Sequence, residues 1–268
     1  MRFNTLAKAI EIFDLLLKKR DSVDVHELAG SLHMPKSTAY AYLAFLKDKG
    51  FLDIADQQGK YRLGLRFLDY ASIVRNQIQL TSIASPHMRE LSKSLQDTVI
   101  LAVRRGGYTY MVEKVEQGVG LVYMRHIGDR RPLYCGASSK IHLAHMKEYE
   151  VDQYLRDTQL KSYTKNTITN RKRLLEDLEK IRNRGYAFSN QEIDVGASGV
   201  AAPIRNNEGE VVACICVVGP TNRINNKNQG SIARAVIHCS EIISRKLEYS
   251  RGSRDEIHYE KEGEDEKH

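Results

Sequence analysis

HMPKSTAYAYLAFLKDKGFL, residues 33–52, decides how the first part of the chain is read. Pro35 suits the first position of a helix, where its missing N–H would have had no intrahelical partner. Lys36, Ser37 and Thr38 then fill the first turn, and Leu43 and Leu46 fall on the side that must turn toward a core. The head of this helix therefore carries a polar and aromatic face with no apolar partner assigned to it.

Working outward, LAKAIEIFDLLLKK (6–19) places Leu6, Ala9, Ile10, Phe13, Leu16 and Leu17 at three- and four-residue spacing, the stripe of an amphipathic helix. SVDVHELAGSLH (22–33) predicts a short helix capped by Asp24, with Leu28, Ala29 and Leu32 inward and its end near Gly30 or His33. A short helix, a tight connection and a second helix headed by small polar residues is a helix-turn-helix, whose second helix enters the major groove by its N-terminal end. After Gly50, FLDIADQQGKYRLG (51–64) predicts two short strands around a Gln-Gln-Gly-Lys turn, a two-stranded wing.

Bulk properties bound the rest. A chain of 268 residues and 30.5 kDa predicts a small domain plus a larger one. The net charge of +7 and pI near 9.1 favour a polyanionic partner. Residues 1–75, however, hold twelve Lys and Arg against nine Asp and Glu, so most of the excess lies downstream, in runs such as RHIGDRR and NRKR. Charge permits nucleic-acid binding without demonstrating it. The apolar runs fall short of the ~20 residues that span a bilayer, and the N-terminus lacks the pattern of a signal peptide, so a soluble cytoplasmic protein is expected. Cys135, Cys214, Cys216 and Cys239 lack C-x-x-C spacing and read as buried thiols rather than a zinc site with His126 or His142.

Past the wing, the stretch 62–95 predicts a linker helix over 67–84 and a new helix beginning near Ser85 and Pro86. From Thr98 the pattern becomes β-branched and aromatic: TVILAVRRGGYTYMVEKVE (98–116) and GLVYMRHI (120–127) predict antiparallel strands. Helices follow over 138–146, 148–157 and 169–185, the last stopped by Gly185. Strands over 185–192 and 199–220 come next, and a closing helix over 231–249. The tail 251–268, charged and nearly devoid of aliphatics, is expected to be disordered. The fold class is α+β: a winged helix-turn-helix over 1–66, the linker, and a mixed α/β sensor domain over 85–250.

AKAIEIFDLLLKK, HELAGSLHMPKSTAYAYLAFLKDKGFL and YRLGLRFLDYASIV, followed by GVGLVYMRHIGDRRPLYCGASSKIHLA, RNRGYAFSNQEIDVGASGVAAPIRNNEGEVVACICVVGP and TNRI, resemble the isocitrate lyase regulator (IclR) family of bacterial transcription factors. The resemblance spans the chain to about residue 250 and implies a GAF-like effector domain, a double-stranded DNA operator, a small-molecule effector, and assembly as a dimer or tetramer. It implies that Lys36, Ser37, Thr38, Tyr40 and Tyr42, with Lys60 and Arg62 of the wing, face DNA. Where many members carry Arg before the paired leucines this chain has Ala41, so no particular operator sequence carries over. Tyr40 and Tyr42 could instead pack against the wing or a neighbouring subunit.

The same resemblance places the effector against Ala137, Ser138 and Ser139, against Ser189 to Glu192, and against Gly199, Cys216 and Val218. Backbone N–H groups where the GASSK helix begins make a natural anion site, pointing to a carboxylate-bearing ligand. Ser189, Gly199 and Val218 replace a family Asp, Cys and Ser, making the pocket less polar and its ligand larger or more apolar, an aromatic or sugar-derived acid. Glu192 could bond a ligand hydroxyl or pair an arginine at the surface. No cofactor is called for. Two rival readings are a hydrolase, for which Ser138 and Ser198 lack G-x-S-x-G spacing, and a protein-interaction module.

Overall fold

The structure, a computed structural model, describes residues 4–57, 59–77, 79–116 and 125–262 and divides into two compact units, Met1–Ile78 and Gln79–His268. In the first unit α1 (Asn4–Lys19), α2 (Val25–Ser31) and α3 (Lys36–Asp48) precede a hairpin of β1 (Leu52–Ile54) and β2 (Tyr61–Leu63), and α4 (Arg66–Gln77) follows. Asp24 caps α2, its carboxylate accepting from the N–H groups of His26 and Glu27 at 2.8 Å. The core gathers Ile12, Leu16, Leu28, Ala39, Leu43, Leu46, Leu52 and Tyr61, and Val23 adds a β-bridge to Tyr61.

Two details differ from the sequence reading. On α1 the buried stripe is Ile12 and Leu16, while Leu6, Ile10 and Leu17 are exposed. Both sides of this helix are apolar, so periodicity alone could not choose between them. Pro35 caps α3 instead of opening it: its ψ of 144° is extended and its carbonyl accepts the N–H of Ala39 at 3.0 Å. Gly64 permits the turn out of the wing, because a Cβ there would strike the carbonyl oxygen of Gly50. Beyond it, Phe67 meets Phe13 edge-on at 5.1 Å and Tyr70 stacks on Phe51 at 5.9 Å, tying the start of α4 to the winged helix. Ile78 and Gln58, the latter in the expected wing turn, lie outside the described residues.

The second unit is a six-stranded antiparallel sheet in the order β5-β4-β3-β8-β7-β6. Its strands are β3 (Thr98–Arg105), β4 (Tyr108–Val115), β5 (Arg130–Pro132), β6 (Ala187–Asn190), β7 (Ala197–Arg205) and β8 (Val211–Pro220). Its helices are α5 (Gln79–Leu95), α6 (Ala137–Ala144), α7 (Glu148–Asp157), α8 (Arg171–Arg184) and α9 (Gln229–Glu262). Ile100, Ala102, Ala201, Cys214, Cys216 and Val218 turn one face of the sheet toward Ile141 of α6 and Leu174 and Leu178 of α8. Two-residue alternation turns Leu101, Ala202, Ile204, Ile215 and Val217 the other way. Gly185 ends α8 in the left-handed region, φ 77°, as expected.

Here α5 begins at Gln79, not at Pro86, which lies inside it. Burial of Leu80, Ala84, Met88 and Leu91 on one stripe offsets the backbone hydrogen bond that the proline forgoes. The expected strand over 120–127 falls mostly on residues outside the description, and on the side away from β3 the strand that pairs with β4 is β5, bound through Tyr108, Thr109 and Tyr110. The closing helix extends to Glu262, into the segment expected to be disordered. Residues 251–262 lack proline and are rich in Arg, Lys and Glu, so a helix already nucleated upstream propagates through them without needing a core. Among the described residues no helix is long and apolar enough to cross a membrane.

Candidate functional site

The first site is the outward face of α3. Burial of Ala39, Leu43 and Leu46 fixes the rotation of this helix about its axis. Lys36, Ser37, Thr38, Tyr40 and Ala41 are exposed as a consequence, Tyr40 at 61%. Tyr42 departs from that face: it is half-buried against the winged-helix core, and its hydroxyl donates to the carbonyl of Thr5 on α1 at 3.2 Å. Two residues missed by sequence reasoning join the exposed face, Ala44 and Phe45, with the Lys49 ammonium 5.7 Å from the Phe45 ring centre. In the wing, Arg62 is exposed, while Lys60 is half-buried and its ammonium lies 3.9 Å from Asp56.

The second site lies where α6 meets the sheet. Ala137, Ser138, Ser189, Gly199, Cys216 and Val218 line a single small cavity of about 40 Å³. Gly136, Ile193 and Asp194 also line it and were not expected. Gly136 must be glycine on two counts: its φ is +84°, and a Cβ would come within 2.6 Å of the Ile193 Cδ1. Asp194, in the loop carrying Ile193, is held by Arg125 at 2.8 Å. Ser139 is not in the lining; it is fully buried, and its hydroxyl has no hydrogen-bond partner among the described residues.

Glu192 does not pair an arginine at the surface. It is buried and stands behind the cavity, with one oxygen 2.6 Å from the Lys140 ammonium and the other accepting the Gly136 N–H at 3.1 Å. Lys140, only 1% exposed, also bonds Asp177 of α8 at 2.6 Å. The sequence hides this arrangement because Lys140 and Glu192 lie 52 residues apart. The consequence is chemical: part of the anion-binding capacity at the head of α6 is already met by the protein's own carboxylate.

All four cysteines are free and buried. Burial pushes the thiols of Cys135 and Cys216 up to about 12, with the charge of Glu192 adding to the effect at Cys135 and the Ser138 N–H opposing it at Cys216. Cys214 and Cys216 share a face as the strand alternation requires, and the Cys214 thiol reaches the Ser138 carbonyl at 3.3 Å. Among the described residues no cluster of three His, Cys, Asp or Glu could hold a metal. His142 is buried, its Nε2 is 3.3 Å from the Ala102 carbonyl, and burial brings its pKa down to about 4. Ser198 donates to Asn190 at 3.3 Å.

Comparison with known proteins bears on both sites. Residues 5–53 match the IclR helix-turn-helix domain, and residues 73–245 match the bacterial transcriptional regulator IclR C-terminal family. The HTH-type transcriptional regulator KipR of Bacillus subtilis is 31% identical over 92% of this chain and 98% of its own length. The crystal structure of the Thermotoga maritima IclR is 34% identical and superposes with a TM-score of 0.74 over 92% of this chain and 99% of that one. An IclR homologue from Microbacterium hydrocarbonoxydans, complexed with 4-hydroxybenzoate, shares the fold at 22% identity and a TM-score of 0.79, over 90% of this chain and 98% of its own. With a winged helix whose third helix exposes its head and a sheet-and-helix unit with a cavity at α6, the chain belongs to the IclR family of bacterial transcriptional regulators.

Proposed function

We propose that this regulator places α3 in the major groove of a near-palindromic operator as a dimer or a dimer of dimers, and that a small carboxylate-bearing effector in the α6 cavity controls it. The observation that carries the DNA reading is the exposure of Lys36, Ser37, Thr38 and Tyr40 around the N-terminal end of α3, while Leu43 and Leu46 further along it are buried. One winged helix buries too little DNA surface for high specificity, which a symmetric pair doubles. The exposed face of α3 offers Ala41, Ala44 and Phe45 where an arginine would read guanine, and methyl and ring surfaces of this kind meet the thymine methyl group. Lys36, Ser37 and Thr38 contact phosphates and set register.

A cavity of about 40 Å³ holds little more than water, so an aromatic or sugar-derived acid enters only as the loop bearing Glu192, Ile193 and Asp194 gives way. The 4-hydroxybenzoate held by a structural neighbour supports aromatic acids as the class to screen first. Preferential binding to one arrangement of the sensor units then alters the separation of the two α3 helices.

A gel-shift titration on a fragment from the gene's own upstream region, repeated at rising salt, tests the DNA reading. Affinity should fall steeply with salt, and Lys36→Ala with Ser37→Ala should weaken it while leaving effector-induced thermal shifts intact. Binding that ignores salt and both substitutions would overturn it.

A further inference from the structure

A second cleft, of about 750 Å³, lies in the larger unit between α9, the β7–β8 turn and the C-terminal end of α8. Its origin is topological. β6 pairs with β7 only through Ser198 to Ala201, so Ala202 to Arg205 form an uncovered edge. Pro203 offers no N–H there, and the Arg205 N–H is taken by the Ser244 hydroxyl at 3.0 Å, so the edge does not invite another strand.

What the cleft presents is charge. Arg184, Arg205 and Arg245 all line it. Each is pinned from one side by a backbone carbonyl: Arg184 Nε by Tyr186 at 2.6 Å, Arg205 Nη1 by Gly209 at 2.8 Å, and Arg245 Nε by Glu241 at 3.4 Å. Arg184 also stacks on the Tyr186 ring at 4.5 Å. These contacts orient the guanidinium forks and leave N–H groups over for a ligand.

Other arginines of this unit meet carboxylates, as in Arg125–Asp194 at 2.8 Å and Arg171–Asp152 at 2.8 Å. Among the described residues none of these three does, although Glu241 and Glu248 line the same cleft. Arg205 is half-buried, and burial alone lowers its pKa, with no acidic group opposing the shift. Arg182 and Arg205 also bear on His145, whose pKa falls chiefly through burial and further through their charges. The carbonyls at the end of α8 favour Arg182 and Arg184, but they do not account for Arg205 or Arg245. A half-buried guanidinium without a counter-ion is unfavourable, and an anion relieves it.

We propose that this cleft is a second ligand site, separate from the α6 cavity, for a small polyanion bearing two or more phosphate or carboxylate groups on Arg184, Arg205 and Arg245. Calorimetric titration of the full chain with tripolyphosphate, pyrophosphate and citrate at fixed ionic strength tests it. One saturable site is expected, and the stronger of the phosphate and citrate arms identifies the ligand's acid group. Arg205→Gln and the exposed Arg245→Gln should each weaken binding about tenfold. Arg245→Gln should do so with the thermal midpoint unchanged, which separates ligand loss from unfolding.

The heat should survive Gly199→Ala, which fills the α6 cavity; its loss there would place the probe in that cavity and overturn the proposal. Absence of saturable heat with all three probes, or undiminished binding to Arg245→Gln, would do the same. Displacement of the probe by unrelated duplex DNA would assign the cleft to a nucleic-acid face and would also overturn the small-ligand assignment.

Discussion

Lys140 Nζ stands 2.6 Å from Glu192 Oε1, and the second oxygen of that carboxylate accepts the Gly136 N–H at the head of α6. The cavity wall, the start of α6 and α8 are thereby joined through one ammonium, because Lys140 also bonds Asp177. Removing it leaves Glu192 buried beside Asp177 without a cation. Lys140→Ala should cost about 3–5 kcal/mol in urea unfolding, the usual penalty for stranding a buried charge. Adding Glu192→Gln should recover part of that loss. A cost below about 1 kcal/mol would show that the triad is solvated rather than buried.

The two tyrosines of α3 should separate cleanly. Tyr40 is 61% exposed, whereas Tyr42 is half-buried and donates its hydroxyl to Thr5. Tyr40→Ala should weaken operator binding in gel shifts with an unchanged melting curve. Tyr42→Phe should lower stability by about 1 kcal/mol or less and leave operator affinity alone. The reverse pattern would rotate the reading face of α3 away from the one described.

Why some of this was readable beforehand and some was not follows from the range of the interactions. Leu43 and Leu46, the Asp24 cap and the Gly185 stop are local signals, decided within one or two helical turns, and the structure has them where the spacing put them. The α1 stripe misled because Leu6, Ile10 and Leu17 are as apolar as the Ile12 and Leu16 that are actually buried. Pro86 misled because side-chain burial along α5 outweighs a local rule. Six of the expected lining residues do meet at one cavity. The partner of Glu192 could not be read locally because Lys140 lies in a different element, a pairing that only the tertiary fold creates.

If Ala41, Ala44 and Phe45 read thymine methyl groups, replacing thymine by uracil at single operator positions removes the contact without altering base pairing. At positions under α3 the substitution should weaken binding by about 1 kcal/mol or less per methyl, measured by competition gel shift. Uniform insensitivity across the half-site would remove these three residues from the reading face.

His142 supplies a pH dependence whose sign is fixed. Burial lowers its pKa from 6.5 to about 4, so the unfolded chain takes up a proton that the folded chain resists. Stability from this group is complete above pH 6.5 and is lost as pH falls from there toward 4. Between pH 7.5 and pH 5 the loss should be about 2 kcal/mol in denaturant unfolding, and His142→Asn should flatten that slope. An equal slope in the variant would assign the effect to other groups, of which His145, also lowered by burial, is the first to test.

Gly199 gives the sharpest test of the cavity as the effector site. A Cβ built there lies 3.4 Å from the Cys216 sulfur and from the Val217 carbonyl oxygen, and 3.7 Å from the Ala137 Cβ. Those contacts are close but tolerable, and no positive φ forbids a side chain, so Gly199→Ala should change stability by about 1 kcal/mol or less. The new methyl nevertheless occupies the small space shared by α6, β7 and β8. Aromatic and sugar acids that raise the melting temperature of the parent protein should do so at least about tenfold less effectively in the variant, while its gel shift with operator stays as before. A variant that keeps its full thermal response would mean that effectors enter elsewhere and that the loop carrying Ile193 has no part in admitting them.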